Sequence, residues 1–163
     1  MKNLTEVLLK VIIIIIMSLS LSTNIFAKEI IGIANITDGD TINILQKKIR
    51  LHGIDAPEKA QKCSKNNKDY YCGLTAKIVL KKKVNKNIVT CKVQKKKDRY
   101  GRYIGVCFSK KINLNKWMVR NGYAVAYKRY SIDYVADEEY AKKNKLGLWS
   151  GSFIYPEKWR KLN

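Results

Sequence analysis

From Ile30 to Glu58 the chain reads IIGIANITDGDTINILQKKIRLHGIDAPE. Three short apolar runs, Ile30 to Ile36, Thr41 to Leu45 and Ile49 to Gly53, are separated by turn residues at Asp38-Gly39 and Gln46-Lys47, the mark of a three-stranded meander. Further along, Gly73 to Val84 sets Leu74, Ile78 and Val79 at helical spacing. Ile88 to Val93 and Arg102 to Phe108 then form a second hairpin around Asp98 to Gly101. Asn113 is placed to cap a helix carrying Leu114, Trp117 and Met118 and ending at Asn121-Gly122. Asp133 is expected to open a longer one running through Leu146 and stopped by Gly147. Five strands with about three helices collected toward the end predict an α+β chain, mainly β, built as an OB-type barrel.

The first residues read as a targeting leader. Lys2 and Lys10 flank a polar start, Val11 to Leu21 is an apolar run, and Ile25-Phe26-Ala27 ends in a small residue, so cleavage is expected after Ala27. The apolar run is shorter than the roughly 20 residues that span a bilayer, and no stable membrane insertion is expected once the leader is removed. Residues 28–163 carry no internal repeat, Gly/Ser linker or long charge block, and read as one domain.

A formal net charge of +20 points to a polyanionic partner. The chain is also rich in Ile and Asn, so part of the lysine excess is expected to reflect a compositionally biased genome, which makes the six arginines the more informative cations; Arg50, Arg99 and Arg102 all lie in polar motifs. A guanidinium grips phosphate through two parallel hydrogen bonds where an ammonium is a point charge. His52 is the only histidine, which removes two-histidine ribonuclease or phospholipase chemistry and His-rich zinc sites. His52 itself alternates with Leu51 in a strand and reads as a packing or surface residue.

Cys63, Cys72, Cys91 and Cys107 all follow the expected cleavage point, as in a protein destined for an oxidising compartment with two disulfides. Three connectivities are possible. Cys63 with Cys72 would close a polar loop, and Cys91 with Cys107 are nearly equidistant from the turn at Asp98 to Gly101; a cross-link of that loop length is worth about 3 kcal/mol in the chain-entropy account. Val89, Cys91 and Val93 share the apolar face, whereas Ile104, Val106 and Phe108 put Cys107 on the opposite one, so a bulge or offset is expected.

Amid these cations stand Asp40, Asp55 and Glu58. Neighbouring meander strands can bring Asp40 and Asp55 to one rim, where two carboxylates, a carbonyl and waters suit Ca2+. The plain alternative is that Asp38-Gly39 and Asp55-Ala56-Pro57 are only turns. With a cation in place, Glu58 is assigned to orient or deprotonate a water, and Arg50 and Arg102 to neutralise charge building on a phosphoryl oxygen.

The ordered set Asp38-Gly39-Asp40-Thr41, Arg50 to Glu58, Tyr100-Gly101-Arg102 and Lys145-Leu146-Gly147-Leu148-Trp149 resembles the staphylococcal nuclease (thermonuclease) family over about Ile30 to Ser150. Pro156-Glu157-Lys158-Trp159-Arg160 and the cysteines look like an exported bacterial branch of it. The resemblance implies an OB-fold and a Ca2+-dependent nuclease cleaving DNA and RNA to 3′-phosphate ends. It implies Asp40 and Asp55 as metal carboxylates, with Ala56 contributing its main-chain carbonyl, and Arg50, Glu58 and Arg102 as the catalytic set. Tyr100 matches a tyrosine beside the substrate phosphate, and Tyr127 or Tyr130 one on which a base stacks. The segment from Cys63 to Cys72 departs from the disulfide-free family pattern.

The expectation is therefore a secreted or periplasmic monomeric nuclease. A binding module that holds nucleic acid without cutting would need only the charge, and a cationic envelope-disrupting protein would need a basic amphipathic face that no segment provides.

Overall fold

The computed structural model of the protein describes residues 26–163. The leader expected over residues 1–27 lies outside them except for Phe26 and Ala27, which open the first strand. In chain order the elements are β1 (Phe26–Ile36), β2 (Thr41–Ile44), β3 (Lys47–Leu51), β4 (Ile54–Asp55), β5 (Lys62–Lys65), β6 (Lys68–Tyr71), α1 (Cys72–Val84), β7 (Ile88–Gln94), β8 (Tyr103–Ser109), β9 (Ile112–Asn113), α2 (Leu114–Arg120), β10 (Val125–Ala126), α3 (Val135–Lys143), a 3-10 turn (Gly147–Ser150) and α4 (Pro156–Leu162).

The strand β1 runs antiparallel to β2 on one side and β7 on the other, and each of those turns back into a hairpin partner, β3 and β8. Then β3 and β8 pair in parallel, Arg50 opposite Ile104, which closes five strands into a barrel. Closure leaves those strands no free edge. The predicted OB-type barrel is thus present, with four α-helices and a 3-10 turn among the described residues instead of about three helices. No described helix is long and apolar enough to cross a membrane. Ile42, Ile44, Ile49, Leu51, Val89 and Val93 fill the barrel at 0–1% exposure, each large aliphatic side chain contributing about 1.5–3 kcal/mol.

Turn chemistry sets the boundaries. Leu45 and Gln46 both take positive φ, so β2 ends at Ile44 and the hairpin turn sits one residue earlier than the predicted Gln46-Lys47. Asn66 and Asn67 do the same. They fold the expected polar loop between Cys63 and Cys72 into the β5–β6 hairpin, because two successive positive-φ residues match the twist of a two-residue turn. Asn113 caps α2 as predicted, its Oδ1 accepting the Lys116 N–H at 2.9 Å. The helix expected from Asp133 to Leu146 is shorter: the Asp133 N–H is spent on Ser131 Oγ at 3.1 Å, α3 starts at Val135 and ends at Lys143, and Gly147 opens the 3-10 turn.

Both favoured disulfides are present, Cys63–Cys72 and Cys91–Cys107. The expected bulge is not. Cys91 and Cys107 are direct partners in the ladder, both fully buried. The inner face of β8 is Gly105, Cys107 and Ser109, while Ile104, Val106 and Phe108 point outward and stay half-buried. Crowding explains the inversion: a Cβ on Gly105 would already lie 2.8 Å from Val93 Cγ1, so the inward positions opposite β7 take small residues.

Candidate active site

Asp40 is fixed before its side chain does anything. Its N–H donates to Asp38 Oδ1 at 3.0 Å, and its carbonyl accepts the Leu51 N–H at 2.8 Å, which sets it at the head of β2 beside β3. The carboxylate is buried and accepts the Ala56 N–H at 2.7 Å, the Thr41 hydroxyl at 3.2 Å and a terminal nitrogen of Arg50. Asp55 ends β4, held by its pairing with Val125 of β10, and is 1% exposed. Its Oδ1 accepts the other terminal nitrogen of Arg50 at 2.8 Å. One guanidinium therefore spans two buried carboxylates fifteen residues apart in sequence. Burial pushes the Asp40 carboxyl up to about 8, with Asp38 and Asp55 adding like-charge repulsion, against the Arg50 cation and the Ala56 amide that pull it down. Burial also opposes charge on Arg50, but Asp40 and Asp55 outweigh it and raise its pKa.

Glu58 lies just past Pro57 on a loop pinned from three sides. Its N–H donates to Gln61 Oε1 at 3.2 Å and its carbonyl accepts the Gln61 N–H at 2.7 Å. Gln61, fully buried, passes the tie on through Nε2 to the Ile154 carbonyl at 2.6 Å. Beneath, Gly73 at the start of α1 touches the loop so closely that a Cβ there would lie 1.8 Å from the Glu58 carbonyl oxygen. The third tie is Arg160 of α4. Its Nη1 donates to Asp55 Oδ1 and to Glu58 Oε1, and its Nη2 to Asp55 Oδ2, all at 2.9 Å. Burial counts against its charge, but Asp55 and then Glu58 raise its pKa well above the ordinary arginine value. Sequence reasoning quoted Arg160 only inside a motif and passed over Gln61. Arg160 is one of only six arginines in the sequence, a scarcity it shares with Arg50, Arg99 and Arg102.

Arg102 stands in a separate network. Asp98 Oδ1 accepts the N–H groups of Tyr100 and Arg102 at 2.9 Å, Asp98 Oδ2 accepts Arg102 Nε at 2.8 Å, and Gly101 supplies the positive φ the turn needs. Among the described residues no hydrogen bond joins this set to Asp40, Asp55 or Glu58. Ladder geometry nonetheless relates the two. Arg102 immediately precedes Tyr103, the first residue of β8, which pairs with Ile49 of β3 beside Arg50. Tyr100 is exposed, with the guanidinium carbons of Arg99 and Arg102 at 4.8 Å and 5.2 Å from its ring centroid. Tyr127 donates its N–H to the Gly53 carbonyl at 2.9 Å and meets the edge of Tyr130 at 4.8 Å. With Asp55 it lines a cleft of about 470 Å³ whose other walls mix the bases Lys128, Arg129, Lys158 and Lys161 with the acids Glu138 and Glu157. Among the described residues His52 hydrogen-bonds through its backbone, to Gly105 and Asn115.

Among the described residues no three His, Cys, Asp or Glu side chains are grouped closely enough to hold a metal. The donor set at the rim is Asp40 and Asp55, hard carboxylate oxygens without nitrogen or sulfur, buried and crowded enough to raise Asp40. That chemistry fits a hard divalent cation which draws its remaining oxygens from backbone, water or substrate. At Ala56 it is the N–H that meets Asp40.

Residues 48–151 match the family model described as staphylococcal nuclease homologue. An uncharacterized endonuclease of Haemophilus influenzae is 37% identical over 142 residues, spanning 82% of this chain and 74% of its own. An uncharacterized endonuclease of Escherichia coli O157:H7 is 34% identical over 136 residues, with 78% and 82% covered. The succinoglycan biosynthesis protein ExoI of Rhizobium meliloti is 34% identical over 126 residues, 76% of this chain but just under two thirds, 66%, of its own length. With a match that runs from β3 to the 3-10 turn and relatives this similar over most of both chains, the protein belongs to the staphylococcal nuclease homologue family.

Proposed function

We propose that the protein is an exported, monomeric, Ca2+-dependent nuclease that hydrolyses phosphodiester bonds of DNA and RNA and leaves 3′-phosphate ends. The observation that carries this reading is the network at the barrel rim in which Arg50 joins Asp40 to Asp55 and Arg160 joins Asp55 to Glu58, in a chain of the staphylococcal nuclease homologue family with relatives named endonucleases. Asp40, Asp55 and the Ala56 carbonyl would hold Ca2+, which when bound supplies Lewis-acid polarisation of a phosphoryl oxygen.

The remaining work falls to side chains. Glu58 is reachable by solvent at 36% side-chain exposure and takes a proton from the attacking water. Attack on phosphorus and departure of the 5′-oxygen leave phosphate on the 3′ side. A guanidinium carries five N–H donors. Arg50 spends two on Asp40 and Asp55 and keeps three for phosphoryl oxygens. Arg102 spends Nε on Asp98 and would offer its terminal nitrogens to the phosphoryl oxygens. These donors act where negative charge grows in the transition state. Tyr100, between two cations, would sit against the phosphate, and Tyr127 in the cleft beside Asp55 would stack a base of a splayed strand. The two disulfides accord with an oxidising compartment.

End-group analysis of products made with Ca2+ and with chelator tests reaction, metal and bond polarity together. The reading requires 3′-phosphate ends that vanish with chelator. DNA retained intact and independent of metal would replace it with a binding module.

A further inference from the structure

We propose that Arg160 is a positioning residue of the reaction, and that α4 belongs to the catalytic centre as the brace that holds Glu58 at a fixed distance from Asp55. The inference rests on the roles proposed above for Glu58 and Asp55. Its ground is the geometry of one side chain. The Arg160 fork takes both oxygens of Asp55 and, with the same Nη1, an oxygen of Glu58, all at 2.9 Å. A planar guanidinium bonded this way fixes the relative placement of two carboxylates as a lysine cannot.

The loop has a second tie to the same C-terminal segment. Gln61 receives the Glu58 N–H and donates to the Ile154 carbonyl, so side chain and main chain of Glu58 are both referred to residues beyond Ser152. That segment is anchored independently by the reciprocal pair Ser64 N–H to Ser152 carbonyl and Ser152 N–H to Ser64 carbonyl, each 2.9 Å. Ser64 follows Cys63, whose disulfide reaches Cys72 beside Gly73. The strap, the hairpin and the start of α1 therefore frame one loop, and Glu58 is the carboxylate it presents.

Arg160 also places a second cation, beside Arg50, against Asp55. A cation held against a carboxylate lowers that carboxylate's attraction for a second cation. Removing the guanidinium should therefore loosen Glu58 and at the same time favour metal at Asp55. A variant that merely damaged the fold would weaken metal binding and turnover together.

Arg160→Ala and Arg160→Lys test this in the purified protein. Hydrogen exchange reads the brace without metal or substrate. The amides of Glu58 and Gln61 should exchange at least severalfold faster in Arg160→Ala than in the wild type, and unchanged protection overturns the proposal. In turnover, kcat should fall about 10- to 100-fold in both variants with KM little moved, the range for partners that orient catalytic groups. Ca2+ affinity, measured by calorimetry, should tighten in Arg160→Ala and stay near the wild type in Arg160→Lys, which keeps the charge without the fork. A kcat equal to the wild type, or a Ca2+ affinity that drops along with kcat, overturns the brace. A wild-type protein that neither binds Ca2+ nor cuts nucleic acid would remove the functional reading, and hydrogen exchange would still decide the role of Arg160.

Discussion

Gly73→Ala sets two opposed effects against each other at one position. Gly73 lies in the first turn of α1, and alanine there gains up to about 1 kcal/mol of helix propensity. Its methyl, however, would stand 1.8 Å from the Glu58 carbonyl oxygen, 2.4 Å from the carbonyl carbon and 2.9 Å from the Lys59 nitrogen. All three are backbone atoms, so no side chain can swing aside. Restoring ordinary contact needs a shift of about 1.5 Å between helix and loop, and overpacking of this kind costs about 1–3 kcal/mol. The clash outweighs the propensity, leaving a net loss of about 0–2 kcal/mol. The larger consequence is chemical, because a misplacement of about 1 Å in a catalytic group costs about 100-fold in rate. Cleavage of a fluorogenic oligonucleotide at saturating Ca2+ should show kcat down about 100-fold with KM nearly unchanged, since Arg50 and Arg102 are on other segments. The same preparation melted by circular dichroism should remain folded. A variant with unchanged kcat and a raised melting temperature would show that the loop yields freely and that Glu58 needs no fixed place.

Two further outcomes are expected. Replacing Cys91 and Cys107 by alanine removes a sixteen-residue closure from the barrel core and should cost about 3 kcal/mol, on the order of 10 °C in melting temperature; an unshifted melt contradicts a stabilising cross-link. At Asp98 burial works against ionisation, but the Arg102 and Tyr100 hydrogen bonds prevail and hold the carboxyl below its ordinary 3.8. A depressed folded pKa means its stabilisation is fully present above that ordinary value and is lost as pH falls through the lower, folded one. Urea unfolding of the wild type and Asp98→Asn should differ at pH 7 and converge in strong acid, whereas a gap that persists there would disprove the ionic tie to Arg102.

The barrel was legible because its signals are local. Each meander strand is bounded by its own turn residues, and closure by β3 and β8 adds no new sequence pattern. Where a local signal was misread, a stronger constraint explains it. The outward set Ile104, Val106 and Phe108 looked like the core face of β8, but the width of the barrel admits only Gly105, Cys107 and Ser109 inside. The β5–β6 hairpin has no apolar alternation, and only Asn66-Asn67 announced it. The acids and Arg50 could be proposed as neighbours because they lie within one meander. Arg160 could not, since 105 residues separate it from Asp55, and Gln61 meets Ile154 across 93. Pairings of that range are written in packing, not in periodicity.

Those long separations bear on how the protein comes to work. Closing a loop of about a hundred residues is entropically expensive, and contacts of high sequence separation form after local hairpins and helices. The ties from Arg160 to Asp55 and Glu58 are of this late kind, spanning 105 and 102 positions. On the proposed roles the site is expected to be completed near the finish of folding, and recovery of activity in a refolding experiment should trail the return of strand and helix signal.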